Sequence, residues 1–242
     1  MSEPFPIKIA FRIPGQWSHP RELIEKLPEG FRLTPDDLIL PDGTVIEFGA
    51  ARADNQFAEI FRSSCRREPT DEEMAKVDGY KVNVFLKGPG GSLEAARKMM
   101  RAAEAILHAG GAGVFIDNST VAHGGQSWLE LTEDGSPDAL SFAFVGITAG
   151  KTEVWTLGMH VLGFRDILMK RVDADQFDII EVICYVCRSE DPIHTGHIVA
   201  DENGPRFQAF VEESPEELAG SPLHNPFGRL KLVSLRDIAE TN

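Results

Sequence analysis

Residues 80–117 limit the fold more than any other stretch, because the spacing of apolar residues changes there from strand-like to helical and back. Between residues 92 and 108, Leu93, Ala96, Met100, Ala103 and Leu107 fall on one helical face, and Met99 and Ile106 widen the stripe. The other face carries Glu94, Arg97, Lys98, Arg101 and Glu104, with Glu94 four residues before Lys98 in the favourable order for an ion pair. Ser92 stands where an N-cap belongs, and Gly110-Gly111 tolerates a left-handed stop. Residues 80–86 alternate and residues 113–117 form a short apolar run, so each reads as a strand. Strand, amphipathic helix and strand in this order predict a right-handed crossover with its two strands parallel.

Further along, residues 140–148 and 152–157 flank Ala149-Gly150 and predict an antiparallel hairpin, followed by a strand at 164–169. The run 177–187 reads as a helix opened by a loose capping box of Asp173 and Gln176, or, from its β-branched content, as a buried strand. Residues 196–200 and 206–211 around Asn203-Gly204 predict another hairpin, and residues 229–235 a strand closing a sheet edge. The first part of the chain supplies a strand at 7–13, a helix at 19–27, and strands at 38–40 and 45–48 joined through Asp42-Gly43. The charged segment 62–78, which contains Pro69, reads as a connection. It divides an N-terminal α+β module, residues 1–77, from a C-terminal α+β domain, residues 78–242, unless the two form one continuous domain. The expected fold class is α+β: a mostly antiparallel sheet with the central strand-helix-strand crossover and helices packed on one face, for which a ferredoxin-like arrangement is one realisation.

A chain of 242 residues that is 42% hydrophobic has enough apolar material for a substantial core. No segment approaches the roughly 20 apolar residues of a membrane helix, so no membrane partner is expected. The opening residues carry two prolines and charges at Glu3, Lys8 and Arg12, unlike a signal peptide. The odd set Cys65, Cys184 and Cys187 points to a reducing compartment, hence the cytoplasm. A net charge of -14 argues against nucleic acid. No basic run is longer than a pair, and one such pair, Arg66-Arg67, is followed at once by Glu68, Asp71, Glu72 and Glu73. The acidic excess reads first as a solvated surface; the sharper alternative is a basic protein partner met by residues 62–78, 134–138 or 212–217. Trp17, Trp128 and Trp155 read as core residues, with Trp17 a candidate for a contact surface. Nothing here sets the oligomeric state.

Three constellations carry potential chemistry. Cys184 and Cys187, followed by His194 and His197, supply the ligand types of structural zinc. Against zinc, the spacer between the pairs is short and the cysteines sit in an apolar run, where free cysteine is normally buried, so no cofactor is expected. Gly90, Gly91 and Ser92 link a strand to a helix start, the geometry in which free backbone N–H groups attract an anion. The competing role is a turn with a serine cap. His123 and His160, with Asp166 or Asp117 to orient them and Ser119 as nucleophile, form a candidate catalytic set. No Gly-x-Ser-x-Gly elbow accompanies it.

Residues 113–119 (Gly-Val-Phe-Ile-Asp-Asn-Ser), with His123, Trp128, the run 156–160 (Thr-Leu-Gly-Met-His) and Phe164-Arg165-Asp166, resemble a bacterial domain family of unknown function over the C-terminal half of the chain. The resemblance implies a bacterial cytoplasmic domain and transfers no catalytic residue. The function expected is therefore a non-enzymatic binding or interaction domain, with a hydrolase using His123 and His160 as the alternative.

Overall fold

The computed structural model describes residues 6–174, 179–189, 191–200 and 206–241. Among them, β1 (Lys8–Gly15), β2 (Arg32–Leu33), β3 (Asp37–Ile39), β4 (Val45–Arg52), β5 (Val82–Pro89), β6 (Gly113–Ile116) and β7 (Val121–Gly124) form one sheet in the order β2-β3-β4-β5-β1-β6-β7. A second sheet joins β8 (Gly146–Ala149), β9 (Glu153–Leu157), β10 (Asp166–Lys170), β11 (Ile198–Ala200), β12 (Arg206–Glu212) and β13 (Arg229–Ser234) in the order β11-β12-β13-β10-β9-β8. The helices are α1 (Pro20–Lys26), α2 (Phe57–Ser64), α3 (Asp71–Asp78), α4 (Leu93–His108), α5 (Gly125–Asp134), α6 (Pro137–Phe144), α7 (Arg171–Ala174), α8 (Ile179–Arg188) and α9 (Leu235–Thr241). The chain is an α+β fold on antiparallel sheets; β10 with β13 is the parallel ladder among the described strands.

The crossover expected at residues 80–117 forms, but its strands are not neighbours. β1 lies between β5 and β6 and runs antiparallel to both, so β5 and β6 are parallel to each other across it. Strands from both sides of residue 77 share one sheet, and no break in that sheet falls at the boundary.

α4 packs over β1 and β5 and is covered in turn by α5 and α6. The expected stripe is buried from Ala96 to Leu107, and Ala95, Ala102 and Ala105 bury a second flank where alanine lets neighbouring helices approach. Ser92 caps the helix, its Oγ accepting from Ala95 N at 3.1 Å, and Lys98 meets Glu94 at 3.4 Å. One hydrophobic core runs from Ile9, Phe11 and Ile13 through Trp128 and Phe144 to Ile167, Phe207 and Leu232, so it underlies both sheets. Alternation along β6 sends Val114 and Ile116 into this core and Phe115 to the opposite face. There Phe115 joins Phe57, Phe61, Val77 and Tyr80 beneath α2 and α3. Helices thus lie on both faces of the first sheet. Trp17 is buried, its indole donating to the Ala109 carbonyl at 2.7 Å, which places it in the core rather than on a contact surface.

Several expectations change. Residues 140–148 do not form one strand: Ser136 caps α6 by accepting from Ala139 N at 3.1 Å, Pro137 starts it, and the strand begins only at Gly146. Local capping outranked the apolar run. The segment 62–78 is an organised element, since Thr70 and Glu73 close a reciprocal capping box on α3. Residues 229–235 do not close an edge; β13 sits between β12 and β10. Residues 179–188 are helical, with Ile179, Val182, Ile183, Val186 and Cys187 buried at helical spacing. Gln176 and Asn203-Gly204, expected in a capping box and a turn, lie outside the described residues.

Phe11 meets Trp128 edge-on at 5.3 Å and Phe144 at 5.9 Å at the centre of the main core. Phe11→Ala is expected to cost about 3–5 kcal/mol, read as a lower urea midpoint with an unchanged slope.

Candidate functional site

The loop between β6 and β7 is bound to the rest of the chain mainly through Asn118, which is 3% exposed. Its Oδ1 accepts from Ala10 N at 2.9 Å, which fixes the amide orientation. Its Nδ2 donates to the Lys8 carbonyl at 3.1 Å and the Pro222 carbonyl at 3.3 Å, and lies 3.4 Å from His160 Nε2. Next to it Asp117 accepts from Arg12 Nε at 2.8 Å. Thr120 takes φ +57°, the left-handed conformation that closes the hairpin. His160 sits on a 3₁₀ turn, Met159–Leu162, bracketed by Gly158 and Gly163 at φ +95° and +94°. A Cβ at Gly158 would meet the Phe144 carbonyl at 2.5 Å and the Ser119 side chain at 2.8 Å, so only glycine permits this approach.

The opposite wall is held by Asp166 and Asn225, both buried. Asp166 Oδ1 accepts from Thr156 Oγ1 and from Met159 N, each at 3.2 Å, and its Oδ2 accepts from Asn225 Nδ2 at 2.9 Å. Asn225 also donates to the Phe164 carbonyl at 3.0 Å and accepts from Phe227 N at 2.9 Å. Burial pushes the Asp166 carboxyl up to about 7, opposed by these hydrogen bonds and by Arg229. Asn225 thereby fixes the loop that carries Pro222, His224 and Phe227.

Between the two walls lies an open recess of about 690 Å³, lined by Ile7, Lys8, Asn118, His160, His224 and Phe227 together with the Gly220–Pro222 stretch and Pro226. Burial lowers His160 to about 4; His224 lowers it further and the Pro222 carbonyl opposes. At neutral pH its ring is uncharged. The Nδ1 atoms of His160 and His224 are both buried without a hydrogen-bond partner.

The expected catalytic set is not assembled. His123 has a separate environment: its Nε2 faces the Ala143 carbonyl at 2.9 Å, so that nitrogen carries the proton, and its ring packs near Trp128 and Phe142. Burial lowers it to about 4, with Arg66 and Arg67 adding to the effect. Ser119 Oγ is buried without a partner and bonds to neither histidine, while Asp166 bonds to Thr156, Met159 and Asn225.

The expected anion loop is likewise occupied by protein. Gly90 N donates to the Ile7 carbonyl at 3.0 Å, Gly91 N to the Val161 carbonyl at 2.8 Å, and Ser92 caps α4. The expected zinc ligands do not converge either: no group of three or more His, Cys, Asp or Glu side chains is placed to hold a metal among the described residues. Cys187 is buried in α8, its thiol pushed up to about 12 by that burial, whereas His194 and His197 stand exposed. The α8 stripe needed Cys187 as a small apolar residue. Sequence reasoning missed Lys8, Ser221, His224 and Asn225; the Asn225-Pro226 pair, a turn signal, was the clue available for the last.

No family model matches this chain, and no curated protein or solved structure matches it.

The buried carboxyl and imidazoles give opposite pH signatures. Asp166 has its folded value raised, so its contribution is complete below about pH 4 and is lost as pH rises through about 7. Relative to Asp166→Asn, the wild-type chain is expected to lose stability on the order of a few kcal/mol across that window in urea denaturation. His123 and His160 have lowered values, so their contribution is present above about 6.5 and is lost as pH falls towards about 4. Nitrogen-15 spectra of both rings are expected to stay in the neutral form from pH 8 to about 5.

Proposed function

We propose that this chain is a bacterial, cytoplasmic binding domain without catalytic chemistry, and that it engages its ligand or partner in the recess between Asn118, His160 and the loop carrying His224. The reading is carried by one observation: Asn118, forty-two positions before His160, meets it at one wall of an open recess, while Asp166 holds the other wall through Asn225. A volume of about 690 Å³ lies within the range of small-molecule sites. Its apolar residues Ile7, Pro222, Pro226 and Phe227 alternate with the polar Lys8, Ser221 and His224, which suits a ligand with an apolar body and a few hydrogen-bonding groups. The free state of Cys65, Cys184 and Cys187 is in keeping with a reducing compartment, and the likeness of residues 113–119 and 156–160 to a bacterial domain family supports the bacterial assignment.

A hydrolase at the same place would require a nucleophile within reach of His160, and Ser119 makes no hydrogen bond to it. Both readings meet one experiment. Fragments that bind the labelled protein are expected to shift the backbone amides of residues 220–227 and to bind at least about tenfold more weakly to His224→Ala or Phe227→Ala. Both side chains are partly exposed, so these variants keep the fold. Fragment shifts confined to other surfaces remove the recess as the binding site, and ester hydrolysis lost in His224→Ala makes it catalytic instead.

A further inference from the structure

We propose that the slot between α1 and the paired strands β4 and β5 binds a small aromatic carboxylate, its ring inside the slot and its carboxylate at Lys81. Trp17, Leu23, Phe48, Ala50, Val82 and Val84 give the slot apolar walls, and Ser18 and His19 are the polar residues of its lining. Its volume of about 130 Å³ suits one six-membered ring, since a dry apolar cavity of about 150 Å³ takes up benzene. The slot and the recess described above share no lining residue. The walls are fixed by the fold. The Trp17 indole donates to the Ala109 carbonyl at 2.7 Å and its ring rests on Gly15, where a Cβ would collide with it. Phe48, Ala50, Val82 and Val84 belong to the ladder of β4 and β5, in which Ala50 pairs with Val84 and Arg52 with Val82. Ala50 is the shortest of the wall side chains and is exposed, so it leaves open the space that a longer residue there would fill.

Charge at the edge of the slot selects among ligands that carry a ring. Lys81 Nζ donates to Ser18 Oγ at 3.1 Å, which puts its ammonium beside a residue of the lining. An ammonium has three donors, so a ligand can share it with Ser18. Arg52, opposite Val82 in the ladder, stands on the same face of the sheet as the walls and adds positive charge on that side. Among the described residues no ion pair joins Lys81 or Arg52 to a carboxylate. The acids of α1 are engaged: Glu22 accepts from Ser18 N at 3.2 Å and Glu25 from Arg21 at 2.6 Å. An apolar volume with an ammonium at its edge is the complement of an anion carried on a ring, whereas an amine would meet Lys81 as a like charge. The net charge of -14 acts weakly here, since carboxylates beyond about 8 Å are screened at physiological salt.

The test is a titration of the nitrogen-15-labelled full chain with phenylacetate at neutral pH and constant ionic strength, read at the Trp17 indole N–H and the amides of Ser18, Phe48 and Ala50. These signals are expected to shift saturably. Benzyl alcohol and phenethylamine keep the ring without the carboxylate and are expected to bind at least about fivefold more weakly. In Lys81→Gln the preference for phenylacetate over benzyl alcohol is expected to vanish. Ala50→Leu, which fills the slot, is expected to weaken phenylacetate at least about tenfold. Both substituted side chains are exposed, so the fold is kept. Shifts that are absent or never saturate, equal binding of benzyl alcohol or phenethylamine, a preference that survives in Lys81→Gln, or unweakened binding in Ala50→Leu overturns the site. None of these results bears on the recess, whose ligands are read at residues 220–227.

Discussion

The side-chain amide of Asn118 is the constraint on which the candidate site depends. It replaces missing backbone partners for Ala10 and Lys8 on β1 and for Pro222 in the loop after β12, and so ties the two sheets together at one buried point. A buried amide with unmet partners costs about 1–3 kcal/mol, whereas one that satisfies three backbone groups holds three segments in register. The recess exists because these segments are fixed at their ends and leave a gap between them.

The second wall follows the same logic with an ionisable group. Asp166 accepts three hydrogen bonds, yet burial still dominates and raises its pKa, and the charge of Arg229 is the smallest of the opposing influences. The carboxyl acts as a bracket for Asn225 and the Met159 turn. His160 and His123 show the complementary case, in which burial removes the positive charge and leaves neutral rings whose role is spatial. Titratable side chains near one another are thus no guide to catalysis unless they face a common reactant.

The surface outside the recess is governed by charge. Most of the acidic side chains that touch a cation do so in exposed pairs such as Lys76 with Glu72 and Arg21 with Glu25, each contributing little. Arg66 and Arg67 depart from this pattern, since an aromatic ring rather than a carboxylate is their neighbour.

Local pattern determined a good deal. The helical stripe from Leu93 to Leu107, its Ser92 cap and the flanking strands were legible because each depends on residues within a few positions of one another. The same holds for the Asp42-Gly43 turn and the α+β class. Tertiary structure alone decided that β1 enters between β5 and β6 and that the histidines part company. The spacing of Cys184, Cys187, His194 and His197 was legible as text, but side-chain direction was not: Cys187 points into the core and the two histidines into solvent. Asn225 joined the site through Asp166, fifty-nine positions away. Periodicity reports which face of an element is buried, whereas the partner buried against it depends on long-range pairing, and no local pattern encodes that.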